Sequence, residues 1–246
     1  MDFSTELEKI GHFIKEKLAG KDAVVGISGG VDSALVLSIL ARALPKEKIH
    51  AFFLPDSNTP KTDWDDIGKI SDSLGIEIKT ININPVTESF RSILSIEDRS
   101  AMGNVKSRSR MIILYYFANI QNGIVIGTTN RTEYLIGYYT KFGDGACDIE
   151  PIMHLYKHDV WDFAAFMKLP ETIIKKKPSA GLWEGQTDED EIGMTYSDLD
   201  KVLEDVFDLQ LRSLTSKHKM VEELHQKSEH KRKLPEFIKE GENQDR

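Results

Sequence analysis

The sequence predicts an α/β fold: a central, twisted parallel sheet covered by helices on both faces. Short apolar runs alternate with longer stretches of helical periodicity, the first run carries almost no polar residue, and a glycine-rich turn follows it. Leu7, Ile10, Phe13, Ile14 and Leu18 recur at helical spacing, so an amphipathic helix opens the chain and ends near Gly20. Ala23 to Ile27 reads as a strand buried on both faces. Ala34 to Leu44 is an apolar helix stopped at Pro45. Ile49 to Leu54 gives a second strand, Pro60 to Leu74 a helix closed by Gly75, and Ile76 to Ile83 a third strand. Helices around Val86 to Leu94 and Asn104 to Ile120 precede a fourth strand, Ile124 to Ile126. Beyond Gly137 the strand signal fades. Helices are expected over Lys157 to Lys168, Asp198 to Leu211 and Lys217 to Ser228, a polar loop over Gly181 to Asp190, and a frayed end over Glu240 to Arg246.

Composition narrows the function classes. The 246 residues suffice for one large α/β domain, so residues 1–246 are expected to form a single domain. A net charge of -8 argues against a duplex-binding surface, which needs a clustered basic face, and no nucleic-acid partner is expected. Cys147 is the only cysteine, which excludes an internal disulfide and a thiolate zinc cluster and suits a reducing cytoplasm. No apolar run approaches the roughly 20 residues of a membrane span. Met111 to Phe117 is apolar around the whole helix. Such a segment is either central core or a subunit interface, and the interface reading predicts a homodimer.

The turn Gly26-Ile27-Ser28-Gly29-Gly30-Val31-Asp32-Ser33 lies between a strand and a helix. Backbone N–H groups and the helix N-terminus converge there, which suits a polyphosphate. Asp32 is negative and out of place in a bare anion hole. Either it or Ser33 caps the helix, or Asp32 holds a magnesium ion that the phosphates share. No lysine follows Gly30 as a Walker A loop requires, and Gly26 and Gly29 lack the dinucleotide-binding spacing.

The Ser-Gly-Gly-x-Asp-Ser loop resembles that of the ATP-pyrophosphatase (adenine nucleotide α-hydrolase) superfamily, whose members cleave ATP to AMP and pyrophosphate on a Rossmann-related sheet. Later segments resemble NAD synthetases in particular: Gly103 to Met111 with Arg108 and Arg110, Gly127 to Glu133, Gly137 to Asp148, Lys177 to Leu182, Gln186 to Glu189 and Glu229 to Arg232. The likeness runs in order along nearly the whole chain. It implies a ligase that amidates deamido-NAD with free ammonia at the expense of ATP, the last step of NAD biosynthesis. It assigns ATP to Gly26, Ile27, Ser28, Gly29, Gly30, Val31, Asp32, Ser33, Thr128, Lys157 and Ser179, where the family often has threonine. Magnesium falls to Asp32 and Glu133, with Asp32, Glu133 and Lys157 catalytic. Deamido-NAD falls to Arg108, Lys141, Asp148, His230 and Lys231. Glutamine-dependent members carry a glutaminase domain, for which no stretch remains here.

Other readings stay open at this level. Glu133 alone would be a solvated residue at a helix start and Lys157 a surface lysine. His154 and His158 are four apart and could face one side of a helix as a metal pair, without an evident third ligand. Cys147 lacks an evident base and is expected to pack. A tRNA-thiolating enzyme would need more cysteines and a basic surface. A nucleotide-binding module that has lost catalysis would keep the loop. The segment 179–191 is polar and contains glycine, which suggests a lid over the site.

Overall fold

The structure is a computed structural model that describes residues 1–179, 181, 185–211 and 215–237. Its elements are α1 (Phe3–Leu18), β1 (Asp22–Gly26), α2 (Val31–Ala43), β2 (Ile49–Phe53), α3 (Lys61–Leu74), β3 (Ile78–Thr80), α4 (Asn84–Leu94), α5 (Arg99–Ile120), β4 (Gly123–Ile126) and α6 (Arg131–Ile136). The second half is helical: α7 (Lys157–Phe166), α8 (Glu171–Ile174), α9 (Asp188–Ile192), α10 (Tyr196–Leu203), α11 (Ser216–Lys227) and α12 (Glu229–Arg232). The expected frayed end lies outside the described residues.

All strands are parallel, in the order β3-β2-β1-β4. Ala23 of β1 pairs with Ile49 on one side and Ile124 on the other. The chain leaves β1 toward β2 and β3, then crosses back to place β4 on the opposite flank. The crevice above the carboxyl ends of β1 and β4 is therefore the topological switch point, where open α/β sheets bind ligands. A parallel bridge between Ile126 and Ile149 extends the sheet beyond β4.

Both faces of the sheet are covered, as the unbroken apolar strands require. Ile10 and Ile14 of α1, Leu35 and Ile39 of α2, and Val160 and Phe163 of α7 form one buried layer. On the other face Val24, Phe52 and Val125 meet Ala118 of α5 and Ile83. A third cluster joins α6, α10 and α11 through Leu135, Leu199, Leu203 and Val221.

Several boundaries move, each for a local reason. The helix expected from Asn104 starts at Arg99, because the Asp98 carboxylate accepts from the Ala101 N–H at 2.6 Å and caps it. The third strand shrinks to Ile78–Thr80 on the exposed sheet edge, with Ile76 and Ile83 buried outside the ladder. The helix expected to Leu211 ends at Leu203 and widens into a π turn over Glu204–Asp208. The helix start expected at Glu133 is α6, which begins at Arg131, and the end of the expected polar loop is helical as α9, where the Thr187 hydroxyl caps the Asp190 N–H.

Candidate active site

A cavity of about 600 Å³ opens over the switch point. The β1–α2 turn supplies its floor through Gly26, Ile27, Ser28, Gly30, Val31, Asp32 and Ser33. Gly29 completes the turn at φ 85°, a conformation that side chains other than glycine's seldom adopt. The serine hydroxyls tie this turn to itself: Ser33 Oγ accepts from the Ser28 N–H and donates to the Gly30 carbonyl, while Ser28 Oγ accepts from the Gly30 N–H at 3.2 Å.

Asp32 is not a helix cap. The cap position of α2 is Gly30, without a side-chain hydrogen bond. One Asp32 oxygen accepts from Asn130 Nδ2 at 2.9 Å and the other from Lys157 Nζ at 2.6 Å. Glu133 reaches the same ammonium at 3.4 Å. Lys157 is buried with its side chain 2% exposed, far from the surface lysine that composition alone favours. Burial opposes its charge, but Asp32 and Glu133 outweigh burial and hold its pKa above the ordinary lysine value. Burial drives Glu133 the other way, raising its carboxyl well above the usual range even beside Lys157, with Asp32 and Asp188 adding repulsion.

Glu133 does two jobs at once. Asn130 and Glu133 form a reciprocal capping box at the start of α6, and the same Asn130 orients Asp32. The β1 and β4 loops are thereby locked across the crevice. Asn130, fully buried, escaped the sequence reading, although Asn followed three residues later by Glu is a capping-box signature.

Asp32 balances the ammonium of Lys157, and ionisation of Glu133, which a bound cation would favour, adds a surplus negative charge. Oxygen-only donors of this kind suit magnesium, which is bound through one or two carboxylates together with substrate phosphates. Among the described residues no group of three His, Cys, Asp or Glu side chains is placed to hold a metal by itself. His154 is taken up by Glu6 at 2.7 Å and His158 by Asp200 at 3.1 Å, so both serve packing between elements. Burial pushes the Cys147 thiol up, away from the thiolate form a nucleophile needs.

Thr128, Ser179 and Lys231 also line the cavity. Arg108, Lys141, His230 and Lys231 are linked by hydrogen bonds and chain continuity, but of the four only Lys231 lines the cavity. Arg108 donates to the Lys141 carbonyl, Lys141 to the His230 carbonyl, and Lys231 Nζ to the carbonyls of Gly137 and Tyr139 at 2.7 and 2.6 Å. Asp148 stands apart from the cavity lining, and its carboxylate accepts from the Val125 N–H of β4 at 2.6 Å. Near the expected lid, Asp188 accepts from the hydroxyls of Tyr138 and Tyr196, while the Tyr196 ring lies 5.1 Å from Lys157 Nζ. Ala180 and residues 182–184 of that segment lie outside the described residues.

The family model for NAD synthase matches residues 6–235. A relative from Thermoplasma acidophilum, an NH(3)-dependent NAD(+) synthetase, is 53% identical over 238 residues, 97% of this chain and 99% of its own. Among solved structures, an NMN synthetase from Francisella tularensis is 36% identical with a TM-score of 0.88, covering 97% of this chain and 99% of that one. The NH3-dependent NAD synthetase from Campylobacter jejuni, determined in complex with the nitrate ion, is 33% identical with a TM-score of 0.80, covering 97% and 100%. A glycine turn and a carboxylate–lysine–carboxylate cluster over one switch point, with a match along nearly the whole length, place this chain in the NAD synthase family.

Proposed function

We propose that the chain is an ammonia-dependent NAD synthetase, with residues 1–246 acting as one synthetase domain. The observation that carries this is the convergence of Asp32, Glu133 and Lys157 beside the Gly26 to Ser33 turn. The Thermoplasma relative, of which 99% is covered, supports free ammonia as the nitrogen source.

A carboxylate does not exchange hydroxide for ammonia unaided, so the carboxyl oxygen must first gain a better leaving group. The nicotinate carboxylate of deamido-NAD attacks the α-phosphorus of ATP, and the bond to the bridging oxygen of the β-phosphate breaks. Pyrophosphate departs into the turn, whose N–H groups and helix N-terminus favour the developing charge. Lys157, kept protonated by its two carboxylates, stabilises charge on the phosphates. Magnesium, held by Asp32 and Glu133, would add Lewis-acid stabilisation there. Ammonia then attacks the acyl carbon, AMP leaves with the carboxyl oxygen, and a proton is released. Side chains position and screen throughout, and none becomes covalently attached. Thr128 and Ser179 would hold ATP, and the linked group of Arg108, Lys141, His230 and Lys231 would take the phosphates of deamido-NAD, with Lys231 as its member in the cavity. Asp148 would have to release Val125 or use its second oxygen to reach a ribose hydroxyl. The segment 179–191 would close over the site and keep water from the acyl-adenylate.

A homodimer belongs to this reading. Helices α4 and α5 pack together, and among the described residues seven of the fifteen exposed large hydrophobics lie on them: Val86, Phe90, Ile93, Leu94, Ile112, Tyr116 and Ile120. A cytoplasmic setting matches the substrates, and among the described residues no helix is long and apolar enough to cross a membrane.

The test is to incubate the protein with ATP, magnesium, ammonium and deamido-NAD and to quantify NAD and AMP. Equal amounts of both are expected. Formation of neither would leave a binding module as the better description. The higher TM-score of the NMN synthetase favours a second reading, amidation of the corresponding mononucleotide. The ratio of kcat/KM for the two acids decides between them.

A further inference from the structure

Lys176, in the segment after α8, is absent from every role assigned so far. Three acceptors meet at its ammonium group. Its Nζ lies 3.1 Å from the Gly29 carbonyl, 2.6 Å from Asp63 Oδ1 at the start of α3, and 3.4 Å from Asp66 Oδ2. It stands 3.5 Å from where a Cβ on Gly29 would be, directly over the glycine turn, and both Lys176 and Asp63 line the cavity.

Its bonding differs from that of Lys157. Lys157 is sealed between Asp32 and Glu133, whereas the Lys176 side chain keeps 27% of its surface exposed. Asp66 does not depend on it, since it also accepts from Lys69 at 3.0 Å and from Thr172 at 2.9 Å. Only the pair with Asp63 is short, and a flexible lysine stem can swing its ammonium from a carboxylate to a phosphate without moving the backbone. The electrostatic need is plain as well. Lys157 is already matched by Asp32 at 2.6 Å, so a departing pyrophosphate requires further cations near the turn.

We propose that Lys176 is a second cation of the pyrophosphate cradle, a binding residue held over the Gly29 turn by Asp63 and transferred to the β- and γ-phosphates when ATP binds. This rests on the reading of Gly26 to Ser33 as that cradle. The alternative is a staple, in which Lys176 merely ties α3 to the turn.

Titration calorimetry of the full chain with inorganic pyrophosphate and magnesium separates the two. K176Q should weaken pyrophosphate binding about tenfold or more, the value of a hydrogen bond between charged groups, while leaving AMP binding unchanged. K176R should retain most of the affinity. D63N removes the competing carboxylate and should bind pyrophosphate at least as tightly as wild type, the opposite direction to K176Q. A staple predicts the same loss in D63N as in K176Q, and that result, or unchanged affinity in K176Q, overturns the proposal. Should K176Q melt below the assay temperature, the direction of D63N alone decides. A wild type that forms NAD but binds no pyrophosphate overturns the cradle and this proposal together, while leaving the reaction standing.

Discussion

Single side chains set the chemistry of this site. Asp32→Asn keeps the hydrogen bond to Asn130 within reach but removes one charge from the Lys157 cluster. It should lower kcat by about a hundredfold or more while shifting the melting temperature by only a few degrees. Turnover near the wild-type value would remove Asp32 from the metal role. Glu150 offers a prediction of another kind. Its carboxylate accepts from the Thr129 N–H at 3.1 Å and occupies the space beside Gly127. Burial pushes its pKa up to about 7. The folded protein therefore binds a proton there that the unfolded chain has already released between the ordinary carboxylate pKa and about 7. Stability is lost as pH rises through that window, and the penalty is complete above it. Glu150→Gln keeps an acceptor without the charge, so it should stabilise the protein by up to about 3 kcal/mol at pH 8 and by much less at pH 5. Denaturant melts at both pH values check this, and an equal effect at the two would contradict it.

At the scale of elements, the loop between β4 and α6 binds the crevice together, because Asn130 both caps α6 and orients Asp32. Asn130→Ala should cost about 1 kcal/mol of stability for the cap alone. It should also reduce turnover disproportionately, since Asp32 loses its fixed partner. Kinetics alongside thermal melting separate the two effects. Elements also show how much was legible in the sequence. Strands β1, β2 and β4 are buried on both faces, so apolar runs gave them away, and the glycine turn between β1 and α2 carried its own composition. Helix α6 is only Arg131–Ile136, too short for any periodicity to emerge. Lys176 and Asp63 were opaque for another reason. Each acts through partners distant in the chain, and nothing in local composition distinguishes a lysine over a phosphate turn from one in solvent. The resemblance to NAD synthetases found Lys157 and Glu133, whereas bottom-up reading alone favoured surface roles for both.

For the whole molecule, the proposed homodimer makes the exposed apolar face of α4 and α5 the place to test. Ile112→Glu together with Ile93→Glu should convert a dimer to a monomer in light scattering, since each places a charge where a second copy would bury an apolar side chain. A wild type that is already monomeric at micromolar concentration would count against the dimer.

Helix α5 belongs to both regions. Its residues Asn104, Ser107, Arg110 and Leu114 line the cavity, while Ile112, Tyr116 and Ile120 face outward on the same rod. Arg110 and Lys106 anchor that rod to buried Asp56, Lys106 at 2.9 Å and Arg110 at 3.3 Å. Whatever steadies the outer side of α5 therefore steadies a wall of the cavity. In the proposed dimer, dilution should by mass action act as an inhibitor: specific activity would decline as enzyme concentration falls below the dimer's Kd, and a higher enzyme concentration would restore it.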